Sequence, residues 1–208
     1  MRIIESESDI LEGAAWLAKS DQRFADALEL IGTVPLRRSK DGFEALFDAI
    51  VGQQVSVAAG NAIWGRLKKA RLTGPRKVLL ASEEELRACG LSRQKIRYSK
   101  ALTEARINYR ALRNASTEEV VLILTKVLGI GHWTAEIYCL FSLGHADAFA
   151  PGDLALQESA RILFQLEERP SEKELRKLAE SWSPWRGVAA RILWSYYRVD
   201  KDREGTRS

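Results

Sequence analysis

The chain has 208 residues, 46% of them hydrophobic, with a formal net charge of +4. That is long and apolar enough for a packed core and excludes a disordered polyelectrolyte. The N-terminus carries no apolar leader and the longest apolar block is Val120 to Leu124, so neither a signal peptide nor a membrane span is predicted. Cys89 and Cys139 are the only two cysteines, too few for a disulfide framework or a four-thiolate cluster. His132, Cys139 and His145 match no common zinc spacing and read as a buried thiol beside two surface histidines.

In chain order the pattern is helical almost throughout. Residues 1–40 read as an N-terminal helical segment, and Gly13, Gly32, Gly42, Gly74, Gly90 and Gly144 fall near expected breaks between runs. Phe43 to Arg66 gives two helical stretches interrupted by Gly52-Gln53-Gln54. Two adjacent glutamines both donate and accept; they suit either a turn facing a base pair or phosphate, or a plain polar loop tip. From Arg66 to Arg113 there are fourteen Lys and Arg against four Asp and Glu, a local net of +10 that leaves −6 for the remainder. Such a block is either a polyanion footprint or a set of solvated helix faces. Inside it, Ser82-Glu-Glu-Glu85 is a capping box, and Ser92 caps a helix whose first turns hold Arg93, Lys95 and Arg97. Cations there oppose the helix dipole, and an external anion would offset the conflict.

A second capping box, Ser116-Thr-Glu-Glu119, opens a run from Thr117 to Val127. Its Val120-Val-Leu-Ile-Leu124 block has strand composition, but its place directly behind the box predicts helix. Gly129-Ile130-Gly131 is then a tight glycine hairpin, followed by a helix from His132 to about Leu143. A hairpin that opens a helix points free N–H groups and the positive dipole end outward, a site for an anion such as a DNA phosphate. Twenty residues after Trp133 stands Asp153, in Pro151-Gly152-Asp153, at the start of the next helical run. A helix cap is a frequent role for Asp; a catalytic carboxylate is the other. Ser171-Glu-Lys-Glu174 is a third box, and Ser183-Pro184 predicts a fourth start with Ser as cap and Pro at the first helical position. Trp182, Trp185 and Trp194 lie within thirteen residues, as core side chains or as flat rings for a base. Lys201 to Ser208 reads as a frayed polar tail. An all-α fold of roughly ten helices follows.

The segments VGQQVSVAA, GLSRQK, LGIGHWTAEIY, PGDLAL and SPWRGVAARILW, in this order from about Phe43 to Tyr197, resemble the short form of the DNA-3-methyladenine glycosylase II family. That family belongs to the helix-hairpin-helix-Gly/Pro-Asp DNA glycosylase superfamily. The resemblance implies two interlocked helical subdomains with an active-site cleft between them: residues 1–40 packing with the C-terminal helices, 41–200 forming the glycosylase core, and 201–208 the tail. Longer bacterial members carry an N-terminal sheet domain; with about forty helical-looking residues before the match, the short form without it is expected here.

The resemblance also implies the chemistry. Asp153 is the catalytic carboxylate, stabilising the sugar cation or activating water during base release from alkylated DNA, with 3-methyladenine as the type substrate and 7-methylguanine among the others. Trp133 occupies the place of the catalytic lysine of bifunctional relatives, so the enzyme is expected to be monofunctional, without lyase activity. Trp133 and Trp194 line the base pocket; a tyrosine some members carry is Ile137 here, with Tyr138 beside it. Gln54 fills the gap left by the flipped nucleotide, and the other DNA contacts are Gln53, Ser56, Ser92, Arg93, Lys95, Gly129, Gly131, His132 and Thr134. A monovalent cation is implied at the backbone carbonyls of Thr125, Val127 and Ile130, with no catalytic metal and no cofactor. The expected partner is double-stranded DNA with alkylated bases, acted on by a monomer without membrane or obligate protein partner. The expected location is cytoplasmic and nucleoid-associated in a prokaryote, nuclear in a eukaryote. Two other readings stay open at this point: a non-catalytic helix-hairpin-helix DNA-binding module, and a same-fold glycosylase for deaminated or mismatched bases.

Overall fold

Small polar caps set most helix starts in the computed structural model, which describes residues 1–205 and the side chains of residues 1–201. The hydroxyls of Ser82, Ser116 and Ser171 each accept the N–H three residues on, and each serine's own main-chain N–H donates to that residue's glutamate carboxylate, at 2.7–3.3 Å. These are the three capping boxes expected from sequence. A fourth, Ser6 with Asp9, uses Asp in place of Glu, which is why the Glu/Gln pattern passes over it. Thirteen α-helices and no strand occur among the described residues, with one isolated antiparallel bridge between Ile3 and His145. No helix among them is long and apolar enough to cross a membrane.

The helices are α1 (Glu7–Ser20), α2 (Gln22–Ile31), α3 (Phe43–Gly52), α4 (Val57–Lys69), α5 (Pro75–Leu80), α6 (Glu83–Ala88), α7 (Arg93–Glu104), α8 (Tyr109–Leu112), α9 (Thr117–Leu124), α10 (His132–Ile137), α11 (Leu154–Leu163), α12 (Glu172–Leu178) and α13 (Arg186–Gly205). The excess over ten comes from one- and two-turn pieces such as α5, α6 and α8. The Val120–Leu124 block is helical, as its cap requires, and α9 ends at Leu124, three residues short of the expected Val127. The run after the hairpin does reach Leu143, but its second half, Tyr138–Leu143, is wound as a π-helix. The chain divides into two compact units: one holds Met1–Arg38 and everything from Cys139 onward, the other Ser39–Tyr138.

In the first unit α13 packs along α1, α2 and α11. Its core is aromatic: Trp182 stacks on Phe164 at 5.4 Å and meets Phe24 and Phe149 edge-on. Gly13 lies in mid-α1, not at a break. A Cβ there would stand 2.6 Å from both Trp185 and Val188, so glycine is needed for α13 to approach. Ser183 is not the cap of α13, which starts at Arg186. Its hydroxyl donates to Asp147, whose carboxylate also takes both arms of Arg186, and the peptide to Pro184 is cis. His145 is fully buried, not at the surface as expected, and its main-chain N–H donates to the Cys139 carbonyl. α13 continues to Gly205, so the expected tail is helical for its first five residues; residues 206–208 lie outside the described residues.

In the second unit the core is mostly aliphatic, with Phe47 among its members: Leu46, Phe47, Ile50 and Val51 of α3, Leu67 of α4, Leu86 of α6, Ile96 and Leu102 of α7, Val120 and Leu124 of α9. Each such side chain contributes about 1.5–3 kcal/mol by leaving water. This packing carries the hairpin, because α9 and α10, its two arms, lie against each other.

Candidate active site

The hairpin is built from its glycines upward. Gly129 has φ +92°, in the left-handed region, and a Cβ there would stand against the ring of Tyr98. It is glycine for both reasons. Gly131 is glycine for neither: its φ of −90° suits any residue and nothing lies within 4 Å of where a Cβ would be. The space left open at Gly131 is at the N-cap of α10, where free N–H groups point outward. Tyr98 is fixed from the side by Gln94, whose amide donates to its hydroxyl at 2.6 Å. No local pattern points to Tyr98, because its partner is a backbone thirty-one positions away.

Gln53 donates its amide to the Gly129 carbonyl at 2.9 Å and so braces the hairpin. Gln54 is exposed, with φ +55°, at the tip of the turn between α3 and α4. Ser56 is the cap of α4 and accepts from Ala59 N–H. Ser92 caps α7 by accepting from Lys95 N–H, and Arg93 is exposed, 3.6 Å from Glu83. Lys95 departs from the expectation of a surface cation. It is buried, and its ammonium donates to the Val51 carbonyl at 2.6 Å, in the last turn of α3 where a positive charge is favoured. Burial holds its pKa below the ordinary ammonium value. A cavity of about 620 Å³ joins these groups, lined by Gln53, Gln54, Ser92, Lys95, Tyr98 and the hairpin from Gly129 to Gly131.

Along α10, His132 is exposed and Trp133 keeps 45% of its surface in solvent, unusual for the largest apolar ring. Thr134 does not share that face: it is 6% exposed and points into the unit, leaving only its main chain for an outside partner. Ile137 is half-buried. Tyr138 is buried, and its hydroxyl accepts the Gly42 N–H at 2.9 Å, so it supports the start of α3 instead of presenting an open face. The Val127 carbonyl accepts the Ile130 N–H at 3.0 Å and keeps a second lone pair. Among the described residues, no group of three or more His, Cys, Asp or Glu side chains could hold a metal ion.

In the first unit, Asp153 caps α11. Its Oδ1 accepts the N–H groups of Ala155 and Leu156, both at 3.0 Å, and also the indole N–H of Trp194 at 3.1 Å. The cap reading of Asp153 is therefore correct but incomplete, since a cap needs no indole. Trp194 is half-buried and tilted 34° against Phe141, whereas Trp182 and Trp185 are core. Phe141 escaped sequence reasoning because it faces Trp194 only through the π-helical turn.

An all-helical fold with a glycine hairpin and a fixed carboxylate after Pro-Gly defines a class, and comparison with known proteins names it. The family described as HhH-GPD superfamily base excision DNA repair protein matches residues 47–184, about two thirds of the chain, and the chain belongs to that superfamily. It is 32% identical over 190 residues to DNA-3-methyladenine glycosylase 1 of Schizosaccharomyces pombe, covering 86% of this chain and 83% of that one. The solved structure of the S. pombe 3-methyladenine DNA glycosylase in complex with abasic DNA superimposes with a TM-score of 0.78 at 30% identity, over 88% of this chain and 95% of that one. A DNA-3-methyladenine glycosidase from Bacillus halodurans gives 0.83 at 32% identity, over 97% and 95%.

Proposed function

We propose that this protein is a monofunctional DNA glycosylase that hydrolyses the N-glycosidic bond of alkylated bases in double-stranded DNA, 3-methyladenine foremost. The observation that carries the reading is the Asp153 carboxylate, capped onto α11 and held by the Trp194 indole, in a chain of a base excision repair superfamily.

The target nucleotide is extruded from the duplex, because its glycosidic bond cannot be reached in the stack. Gln54, on an exposed left-handed turn, fills the gap it leaves. As the bond lengthens, positive charge grows on the sugar, and the Asp153 carboxylate stabilises it. A water oxygen bonds to the anomeric carbon and passes its proton to the Asp153 carboxylate, which returns it to solvent, while the glycosidic electron pair leaves with the base. An alkylated purine already carries a positive charge, so that pair neutralises the ring and no acid is needed to protonate it. Trp133 offers its exposed ring to such a cation, with Ile137 beside it and Tyr138 as support. Trp194 acts through Asp153, which it orients. Free N–H groups at the start of α10, with Gly131, His132, Ser92 and Arg93, hold phosphates of the strand, and Lys95 sets the charge of the adjoining cavity. Main-chain carbonyls of Thr125, Val127 and Ile130 are hard oxygen donors suited to a monovalent cation, which would neutralise a phosphate there.

The test is strand integrity. The purified protein on methylated duplex is expected to create abasic sites, seen as breaks only after alkali, with borohydride trapping no covalent complex. The ground is Trp133 at the lysine position. A trapped adduct would show an amine such as Lys126 doing lyase chemistry and would overturn the monofunctional assignment.

A further inference from the structure

We propose that Arg37 is a DNA-phosphate contact that anchors the reacting nucleotide at Asp153; this rests on the glycosylase reading above. Arg37 sits in the loop after α2 with φ +45°, a conformation that costs an arginine energy and persists only where the surroundings impose it. What imposes it is visible. The preceding carbonyl, Leu36 O, accepts from Arg191 Nε at 3.1 Å. Arg191 is itself 1% exposed and donates to the Gly187 and Leu140 carbonyls at 2.7 and 3.0 Å. The π-helical turn leaves main-chain carbonyls without their usual helical donors, and arginines take them: Leu140 O by Arg191, Phe141 O by Arg38 at 3.4 Å.

The loop so pinned lays the Arg37 guanidinium over Phe141 at 4.9 Å and beside the Trp194 ring at 5.8 Å. The same indole donates its N–H to Asp153 at 3.1 Å. One indole thus contacts both a guanidinium and the carboxylate assigned to the sugar, and in a nucleotide the phosphate is the group next to the sugar. Arg37 is exposed, and a guanidinium that rests on aromatic rings can still offer its N–H donors as a fork to a phosphate. Three arginines, Arg37, Arg38 and Arg191, gather around Phe141, and among the described residues none of them is ion-paired with a carboxylate. The burial of Arg191 and the mutual repulsion of the three bring its pKa down to about 10. A concentration of positive charge held at such a cost is relieved by an anion, and the substrate brings one. This cluster lies outside the basic block from Arg66 to Arg113 that sequence composition marks.

The experiment compares wild type with Arg37→Gln and Arg37→Lys for binding to a duplex with an abasic analogue across a salt series, and for base release from methylated DNA. Arg37→Gln is expected to weaken abasic-duplex binding about tenfold, the loss of one charge-assisted bond. It should reduce the slope of log K against log salt by about 0.9, one phosphate contact, and the loss in turnover should appear mainly in KM. Arg37→Lys should restore the slope but only part of the affinity, since the charge returns without the stacked fork. An unchanged salt slope for a folded Arg37→Gln overturns the proposal. So does a fall in kcat with KM and slope unchanged, which would make Arg37 a support for Trp194. If wild type releases no base at all, the glycosylase reading fails by itself, and the slope on the abasic duplex still decides Arg37.

Discussion

Asp153→Asn is expected to lower base release from methylated DNA by about 10²–10³-fold, the scale of losing one electrostatic stabiliser of the transition state, while the protein stays folded and still binds DNA. The amide oxygen of Asn can accept the same three bonds that Oδ1 now accepts, from Ala155, Leu156 and Trp194. Asn is also as good a cap as Asp, so α11 should survive. What the substitution removes is the negative charge proposed to face the sugar cation. Single-turnover release and a thermal melt, measured together, separate chemistry from folding. Turnover near wild type with an unchanged melt would mean that Asp153 is a cap and nothing more.

Gly131→Asp is expected to weaken binding to undamaged duplex at least about tenfold, equivalent to about 1.4 kcal/mol, with a melting temperature equal to or slightly above wild type. Gly131 is the N-cap of α10, its φ of −90° is open to any residue, and no atom lies within 4 Å of a Cβ placed there. Aspartate is among the preferred N-caps and favours the dipole, by a few tenths of a kcal/mol over glycine. The same carboxylate would occupy and charge the space proposed for a phosphate. Stability and binding therefore move in opposite directions, which no general unfolding can imitate. Gly129 offers the contrast: any side chain there meets Tyr98 at a positive φ, so both properties should fall together.

Features written in consecutive residues are legible in the sequence. The capping boxes fix helix starts because cap and partner lie three residues apart. The hairpin and the Pro-Gly-Asp cap are readable for the same reason. Features made by residues far apart are not. Gly13 looks like a break until Trp185 is seen against it, and Lys95 looks like a surface cation until it reaches the Val51 carbonyl. Ser183 and Pro184 resemble a helix start, but the hydroxyl is claimed by Asp147. Thr134 follows the hairpin motif, while Tyr138 stands one position past the place of the family's tyrosine, and only packing decides that both side chains turn inward. Trp194 is legible as an aromatic of interest; that its N–H is bound to Asp153 is not, because forty-one residues separate them.

The most direct measurement is chromatography of the bases set free when the wild-type protein meets duplex DNA treated with a methylating agent. The proposed roles of the hairpin as a phosphate clamp and of Asp153 as stabiliser of the sugar cation predict free 3-methyladenine, with 7-methylguanine behind it, and one abasic site for each base released. No released base, from a protein that binds the same DNA tightly, would contradict the account and leave a DNA-binding module in its place.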